Sequence, residues 1–147
     1  MEAKDLMIGD LVLYVDKEGG IETPCRINSL NLNGEWTAQI LNSEFIFQGD
    51  NTECSIEECL LPIPITPEIL KKNWFEYYEP YDPEIKTEGY KSNDNRIFIR
   101  REKTSKSDWF CVIYTEGIME ELMLGISYVH ELQHALKLCK IEKEIVL

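Results

Sequence analysis

Two histidines and a glutamate lie close together near the carboxyl end of the chain, at His130, Glu131 and His134. Their spacing is H-E-x-x-H, and on a helix both histidines would share one face and could bind a single zinc ion. The glutamate between them could then act as a general base toward a metal-bound water. The motif therefore raises the hypothesis of a zinc-dependent hydrolase, with His130 and His134 as metal ligands and Glu131 as the catalytic base.

Three features of the sequence argue against this zinc site. A catalytic zinc takes a third protein ligand, but only 13 residues follow His134 and none is another histidine. The acids Glu116, Glu120 and Glu121 could serve, although no pattern selects one of them. A helical wheel also places both histidines opposite the apolar side of the helix. Chance alone would produce this motif on the order of once in a few hundred chains of this length. We therefore expect no enzymatic activity and no cofactor, with zinc as the alternative.

A predicted hairpin near residues 96–109 combines basic and aromatic side chains, as surfaces that bind single-stranded nucleic acid do. Its members are Arg96, Phe98, Arg100, Arg101, Lys103, Lys106 and Trp109. Strand alternation would place Ile97 and Ile99 inward and the arginines outward, as in any solvated hairpin. The net charge of −12 also repels a polyanion. Nucleic acid is therefore not an expected partner.

A dense aromatic group lies beside the prolines of the second half of the chain. Its members are Trp74, Phe75, Tyr77, Tyr78, Tyr81 and Tyr90. Packing in the core and in loops explains such a group, and an exposed recognition patch is the alternative.

Charge is distributed unevenly along the chain. Residues 1–65 hold twelve acidic and three basic side chains, so this part carries −9 of the net charge of −12. Such a surface repels anionic membranes and favours a basic partner. No apolar run approaches the roughly 20 residues of a membrane span, and the acidic amino-terminal segment does not resemble a secretory signal. The five scattered cysteines are expected to be reduced and mostly buried, which favours the cytoplasm.

The pattern of elements predicts an α+β protein whose first half, residues 1–62, is a small SH3-like β-barrel. Short apolar runs separated by turn residues predict four strands, beginning with D-L-V-L-Y-V at 10–15. Asn33-Gly34 predicts a hairpin between the second and third strands. The proline-rich stretch L-P-I-P-I-T-P then marks a boundary, because proline is disfavoured inside strands and helices.

Residues 66–147 are predicted to form an α+β unit that packs with the barrel as one compact body. Thr66 and Pro67 suit the N-cap and first position of a helix that ends near Trp74. Residues 77–94 are predicted to be irregular, with Pro80, Pro83 and Gly89 as breakers. A β-hairpin, an ambiguous segment with strand-like alternation and a second helix at 128–139 follow. The tail E-K-E-I-V-L could add an edge strand.

Three segments of the chain resemble an uncharacterised group of short proteins from gut Bacteroidetes genomes and their mobile elements. They are K-D-L-M-I-G-D-L-V-L-Y, P-I-P-I-T-P-E-I-L-K-K-N-W-F and Y-V-H-E-L-Q-H-A-L-K-L-C. Some members of that group have V-H-Q-L-Q-N at the helix, so the resemblance implies that the zinc motif does not define the group. It also implies an accessory role exerted by binding another protein.

The sequence thus predicts a small acidic cytoplasmic protein that is not an enzyme and that contacts a protein with a basic surface. A zinc-dependent hydrolase is the first alternative. The second is an acidic mimic of nucleic acid, which would occupy the groove of a DNA- or RNA-binding enzyme.

Overall fold

The computed structural model describes residues 5–16, 18, 20–31, 33–50, 52–79, 87–102, 109–114 and 121–147, with backbone alone at 121–123. The chain divides into two compact units, Met1–Ile63 and Pro64–Leu147. Each unit is built on a five-stranded antiparallel sheet. The division lies inside the proline-rich stretch, where proline lacks the N–H that a continuing strand would need.

The sheet of the N-terminal unit has the order β4-β3-β2-β1-β5. Its elements are β1 (Leu11–Val15), β2 (Glu22–Leu30), β3 (Trp36–Ile40), β4 (Ile46–Gly49), the short helix α1 (Ile56–Cys59) and β5 (Leu60–Pro62). Pro62 lies on an edge strand, where a residue without an N–H is tolerated.

Strand alternation places one face of this sheet in the core. On β2 the buried residues are Cys25 and Ile27, and on β3 they are Trp36 and Ala38. Residues two apart share a face of a strand, so these four side chains lie on the same side of the sheet. The hairpin predicted between these strands is confirmed, and Gly34 there has φ of 82°, which glycine adopts without strain.

The predicted SH3-like barrel is wrong. The sheet is open, with β4 and β5 as its two edges, and no ladder joins them within the residues that the structure describes. A barrel closes only when its edge strands pair along their length. The last strand has three residues and ends in Pro62, so it offers little backbone for such pairing.

The sheet of the C-terminal unit has the strand order β10-β9-β8-β7-β6. Along the chain, one helix precedes these strands and another follows them. Its elements are α2 (Pro67–Lys72), β6 (Phe75–Tyr78), β7 (Thr87–Ser92), β8 (Ile97–Glu102), β9 (Trp109–Tyr114), β10 (Glu121–Ile126) and α3 (Val129–Leu138). Helix α2 contacts β6, and α3 contacts β10. The predicted inward orientation of Ile97 and Ile99 is confirmed, since both are buried.

The predicted α+β class is also wrong, because the described residues form ten strands and three short helices. The stretch expected to be irregular contains the end of β6 and all of β7, and Gly89, expected to break structure, pairs within β7. The two prolines expected to act as breakers, Pro80 and Pro83, lie outside the described residues. Cross-strand pairing thus overrides the weak local preference of this segment.

Both predicted helices are confirmed, and the expected edge strand at the C-terminus is wrong. Thr66 caps α2, its hydroxyl accepting a hydrogen bond from the Ile69 N–H at 3.3 Å. The tail is held by a side chain instead of a strand. The amide of Asn73 donates to the Val146 carbonyl at 2.6 Å and accepts from the Val146 N–H at 2.7 Å. That the two units pack as one body stays a prediction.

Candidate functional site

The histidine motif lies on α3, so both imidazoles are on one helix, 5.8 Å apart between ring centroids. His130 is 3% exposed, and its ring stacks on Tyr128 with the planes inclined by 7°. The prediction that both histidines lie on the polar side is therefore wrong for His130. Gln133 is buried as well as His130, so the buried face of α3 is wider than its apolar side.

The carboxylate of Glu131 is bound to the backbone at the start of its own helix. Its Oε2 accepts hydrogen bonds from the N–H of Ser127 at 2.6 Å and of Tyr128 at 3.0 Å. A glutamate at the third helical position satisfies in this way donors that the first turn of a helix leaves unpaired. The geometry therefore assigns Glu131 a structural function as a helix cap, and its catalytic role stays a prediction.

A third ligand for His130 and His134 is not identified. Among the described residues, no group of three or more His, Cys, Asp or Glu side chains could hold a metal ion. Of the acids considered for this position, Glu116 and Glu120 lie outside the described residues, and the side chain of Glu121 is not described either. Zinc binding therefore stays an alternative prediction.

The expectation that the cysteines are reduced is wrong for Cys54 and Cys59, which form a disulfide. It is confirmed for Cys25, Cys111 and Cys139, which are free thiols. Burial raises the pKa of Cys111 to about 12 and also raises the pKa values of Cys25 and Cys139. A nucleophilic cysteine needs a lowered pKa, so these three thiols have the opposite of the required environment.

The basic and aromatic residues of the predicted nucleic-acid surface are divided between the two faces of the second sheet. Arg101 forms an ion pair with Glu88 at 2.5 Å, and its guanidinium lies 4.3 Å from the centroid of the Trp109 ring, which is itself buried. Arg100, the next residue, is exposed on the opposite face. Lys103 and Lys106 lie outside the described residues.

The predicted aromatic patch is likewise divided. Phe75 and Tyr90 are buried, whereas Tyr77 is 50% exposed. Trp74 is half-buried and stacks on Phe75 with 5.6 Å between ring centroids. Tyr81 lies outside the described residues. Core packing therefore accounts for most of this group.

A pocket of about 320 Å³ lies in the N-terminal unit, lined by residues of β2, β3, β4 and the segment after β4. We call it the acidic pocket, because its lining includes the carboxylates of Glu35, Asp50 and Glu53 and no lysine, arginine or histidine. The sequence predicted an acidic half but did not identify these three residues as neighbours.

Short hydrogen bonds within the turns orient two of these carboxylates. Glu35 accepts from the side-chain amide of Asn31 at 2.9 Å. Asp50 accepts from the Thr52 hydroxyl at 2.6 Å and from the N–H groups of Thr52 and Glu53 at 2.7 and 2.9 Å. These bonds lower the pKa of Asp50, so it is ionised at neutral pH. An aspartate that begins a turn after a strand is a sequence signal that could have located this site.

The wall of the acidic pocket is held by close packing around Trp36. Its indole N–H donates to the Cys54 carbonyl at 2.8 Å, and the disulfide ties Cys54 to Cys59 at the end of α1. A Cβ at Gly49 would lie 2.5 Å from the Cys54 oxygen and 2.6 Å from the Trp36 ring. Only glycine therefore fits at this position without displacing its neighbours.

The chain matches no protein-family model, no curated protein and no solved structure. The resemblance to the Bacteroidetes group accordingly stays a prediction. Within the described part of the chain, no helix has both the length and the apolar character needed to cross a membrane.

Proposed function

We propose that this protein is a binding protein without enzymatic activity, and that its N-terminal unit recognises a basic side chain of a partner protein. The observation that supports this function is the acidic pocket, in which three carboxylates line one concavity. Its volume of about 320 Å³ is at the lower end of the ~300–1,000 Å³ of ligand pockets. It suits one side chain better than a folded segment.

The chemistry of the pocket favours arginine or lysine as the group it receives. Carboxylates bind a guanidinium through paired, charge-assisted hydrogen bonds, and an ammonium as a point charge. The charge of −9 over residues 1–65 would also steer a basic partner toward this unit and make association sensitive to salt.

Two features support binding over hydrolysis. Glu131, the candidate general base, uses its carboxylate oxygen to cap α3. The three free thiols have raised pKa values because they are buried or partly buried.

A cytoplasmic location is part of the proposal. The Cys54–Cys59 disulfide is the feature that argues against it, since such bonds are typical of oxidising compartments.

The test is a titration of the whole protein with a fluorescently labelled hexa-arginine peptide, followed by anisotropy at low and at high salt. The pocket variant carries Glu35→Gln and Glu53→Gln. The control carries Glu22→Gln and Glu44→Gln, which remove the same charge from exposed positions of the same unit outside the pocket. We expect the pocket variant to bind about tenfold more weakly than the control.

If both variants bind the peptide equally weakly, the acidic pocket is not the binding site, and the affinity depends only on the net charge of the unit. That outcome would favour the alternative of a nucleic-acid mimic, which needs carboxylates spread over a surface. If the peptide does not bind even at low salt, both the acidic pocket and the nucleic-acid mimic are excluded.

A further inference from the structure

The outer face of the second sheet has a pocket of its own, of about 240 Å³. Strands β6, β8 and β9 contribute its lining, which consists of Tyr78, Phe98, Arg100, Val112 and Tyr114. We call it the arginine pocket. It lies in the C-terminal unit and does not depend on the function proposed for the acidic pocket.

Aromatic rings form the body of the arginine pocket. The Phe98 ring meets Tyr78 at 5.6 Å and Tyr114 at 5.4 Å between centroids, with the planes inclined by 86° and 89°. Since β8 lies between the strands of the two tyrosines, Phe98 is flanked by both rings. Val112, which pairs with Phe98, is only 5% exposed. The pocket therefore has an apolar floor and edge-to-face aromatic walls.

A glycine lets the polar groups of the pocket approach each other. Gly89 pairs with Tyr78 on one side and with Arg100 on the other, so no side chain separates these two residues across β7. Their proximity is also evident electrostatically. Burial raises the pKa of Tyr78, the charge of Arg100 opposes this shift, and Tyr114 adds to it. Tyr78 is therefore protonated at neutral pH and can donate a hydrogen bond.

Arg100 is the only charged residue among those that line the arginine pocket. The chain has 27 acidic residues, yet the side chain of Arg100 is exposed and makes no hydrogen bond or ion pair with any residue that the structure describes. Its neighbour Arg101 has both a carboxylate partner, Glu88, and an aromatic partner. Arg100 is thus a cation beside an apolar pocket whose charge is not matched by a contacting carboxylate of the described chain.

We propose that the arginine pocket binds an aromatic carboxylate. Arg100 pairs with the carboxylate, the Tyr78 hydroxyl donates a hydrogen bond to it, and the ring of the ligand packs against Phe98 and Val112. The volume of about 240 Å³ suits a ligand of one ring with a short acidic arm.

The balance of charge favours a single carboxylate over a phosphate or a polyanion. Lys91 also lies on this face, opposite Phe98, and its ammonium is hydrogen-bonded to Asn95 at 2.9 Å. Glu76, its partner on β6, is exposed. One arginine therefore matches one negative charge, whereas a phosphate carries about −1.5 to −2.

The test is a titration of the whole isotope-labelled protein with phenylacetate, followed by amide chemical shifts, with benzyl alcohol as the neutral ligand of similar size. We expect shifts in β8 around Phe98 and Arg100, and an affinity for phenylacetate about tenfold that for benzyl alcohol. Arg100→Gln should weaken phenylacetate binding about tenfold, and Tyr78→Phe about threefold. The matched control is Lys91→Gln, which removes the same charge from the same face and should change binding less than about twofold.

Similar binding of phenylacetate and benzyl alcohol would overturn the proposal, as would equal effects of Arg100→Gln and Lys91→Gln. If Arg100→Gln does not fold, the proposal is tested by the effect of Tyr78→Phe and by the difference in affinity between phenylacetate and benzyl alcohol. A peptide that ends in a phenylalanine carboxylate distinguishes two sources of the ligand. Binding about tenfold tighter than phenylacetate, lost on amidation of the peptide, would identify a protein C-terminus, whereas tighter binding of phenylacetate would identify a small aromatic acid.

Discussion

Replacement of Glu131 by alanine separates the structural role of this residue from the catalytic role predicted for it. The substitution removes the acceptor for the N–H groups of Ser127 and Tyr128, at 2.6 and 3.0 Å. Loss of a helix cap costs about 0.5–2 kcal/mol, and an anionic residue near a helix N-terminus adds about 0.3–1 kcal/mol. Because Glu131 is half-buried, water can replace part of the lost bonding. We expect a loss of about 1–2 kcal/mol in the free energy of unfolding.

The assay is urea unfolding at neutral pH, together with hydrogen exchange of the Ser127 and Tyr128 amides. A loss of 1.4 kcal/mol corresponds to about a tenfold change in an equilibrium constant, so both amides should exchange about tenfold faster in Glu131→Ala. Glu131→Gln keeps an acceptor oxygen and should recover most of the stability. The control is Glu142→Ala, an exposed acid beyond the end of α3.

The capping and the catalytic hypotheses for Glu131 predict different changes in the free energy of unfolding. A residue kept for chemistry is often destabilising, so removal of a catalytic base would leave stability unchanged or raise it. If Glu131→Ala is as stable as Glu142→Ala, and if the Ser127 and Tyr128 amides exchange at the wild-type rate, the capping argument is refuted. That outcome would favour the zinc-hydrolase alternative, in which Glu131 acts as the general base.

Two further substitutions test the packing of each unit. Gly49→Ala introduces a Cβ within 2.6 Å of Trp36 and Cys54 atoms. It should lower the free energy of unfolding by about 1–3 kcal/mol, measured by thermal unfolding. Asn73→Ala removes hydrogen bonds to the Ile69 carbonyl and to both backbone groups of Val146. Because Asn73 is buried, it should cost about 2–4 kcal/mol, and carboxypeptidase should digest the tail faster.

Each of these substitutions has a control of the same chemical type. Gly125→Ala adds a methyl group where no atom of the described residues lies within 4 Å of the new Cβ, and Asn93→Ala truncates an exposed amide. Both controls should change stability by less than about 0.5 kcal/mol. A Gly49 or Asn73 variant as stable as its control would contradict the packing described at that position.

The sequence alone determined features that depend on neighbours a few residues away. Thr66 and Pro67 mark the start of α2 because a side-chain hydroxyl and a missing N–H act within one helical turn. Ile97 and Ile99 turn inward because alternation is a local property of a strand. The Asn33-Gly34 turn has the same local origin. The uneven charge needs no structure at all.

Only the tertiary structure decided what depends on partners distant in the chain. Arg100 and Arg101 are neighbours in sequence, but their environments differ. Arg101 contacts Glu88 and Trp109, whereas Arg100 lines a pocket. His130 is buried because the unit covers that side of α3, which the polarity of the helix alone does not reveal. Asn73 binds a residue 73 positions away. Such contacts form only when the whole fold offsets the entropy of closing long loops, so no short stretch of sequence encodes them.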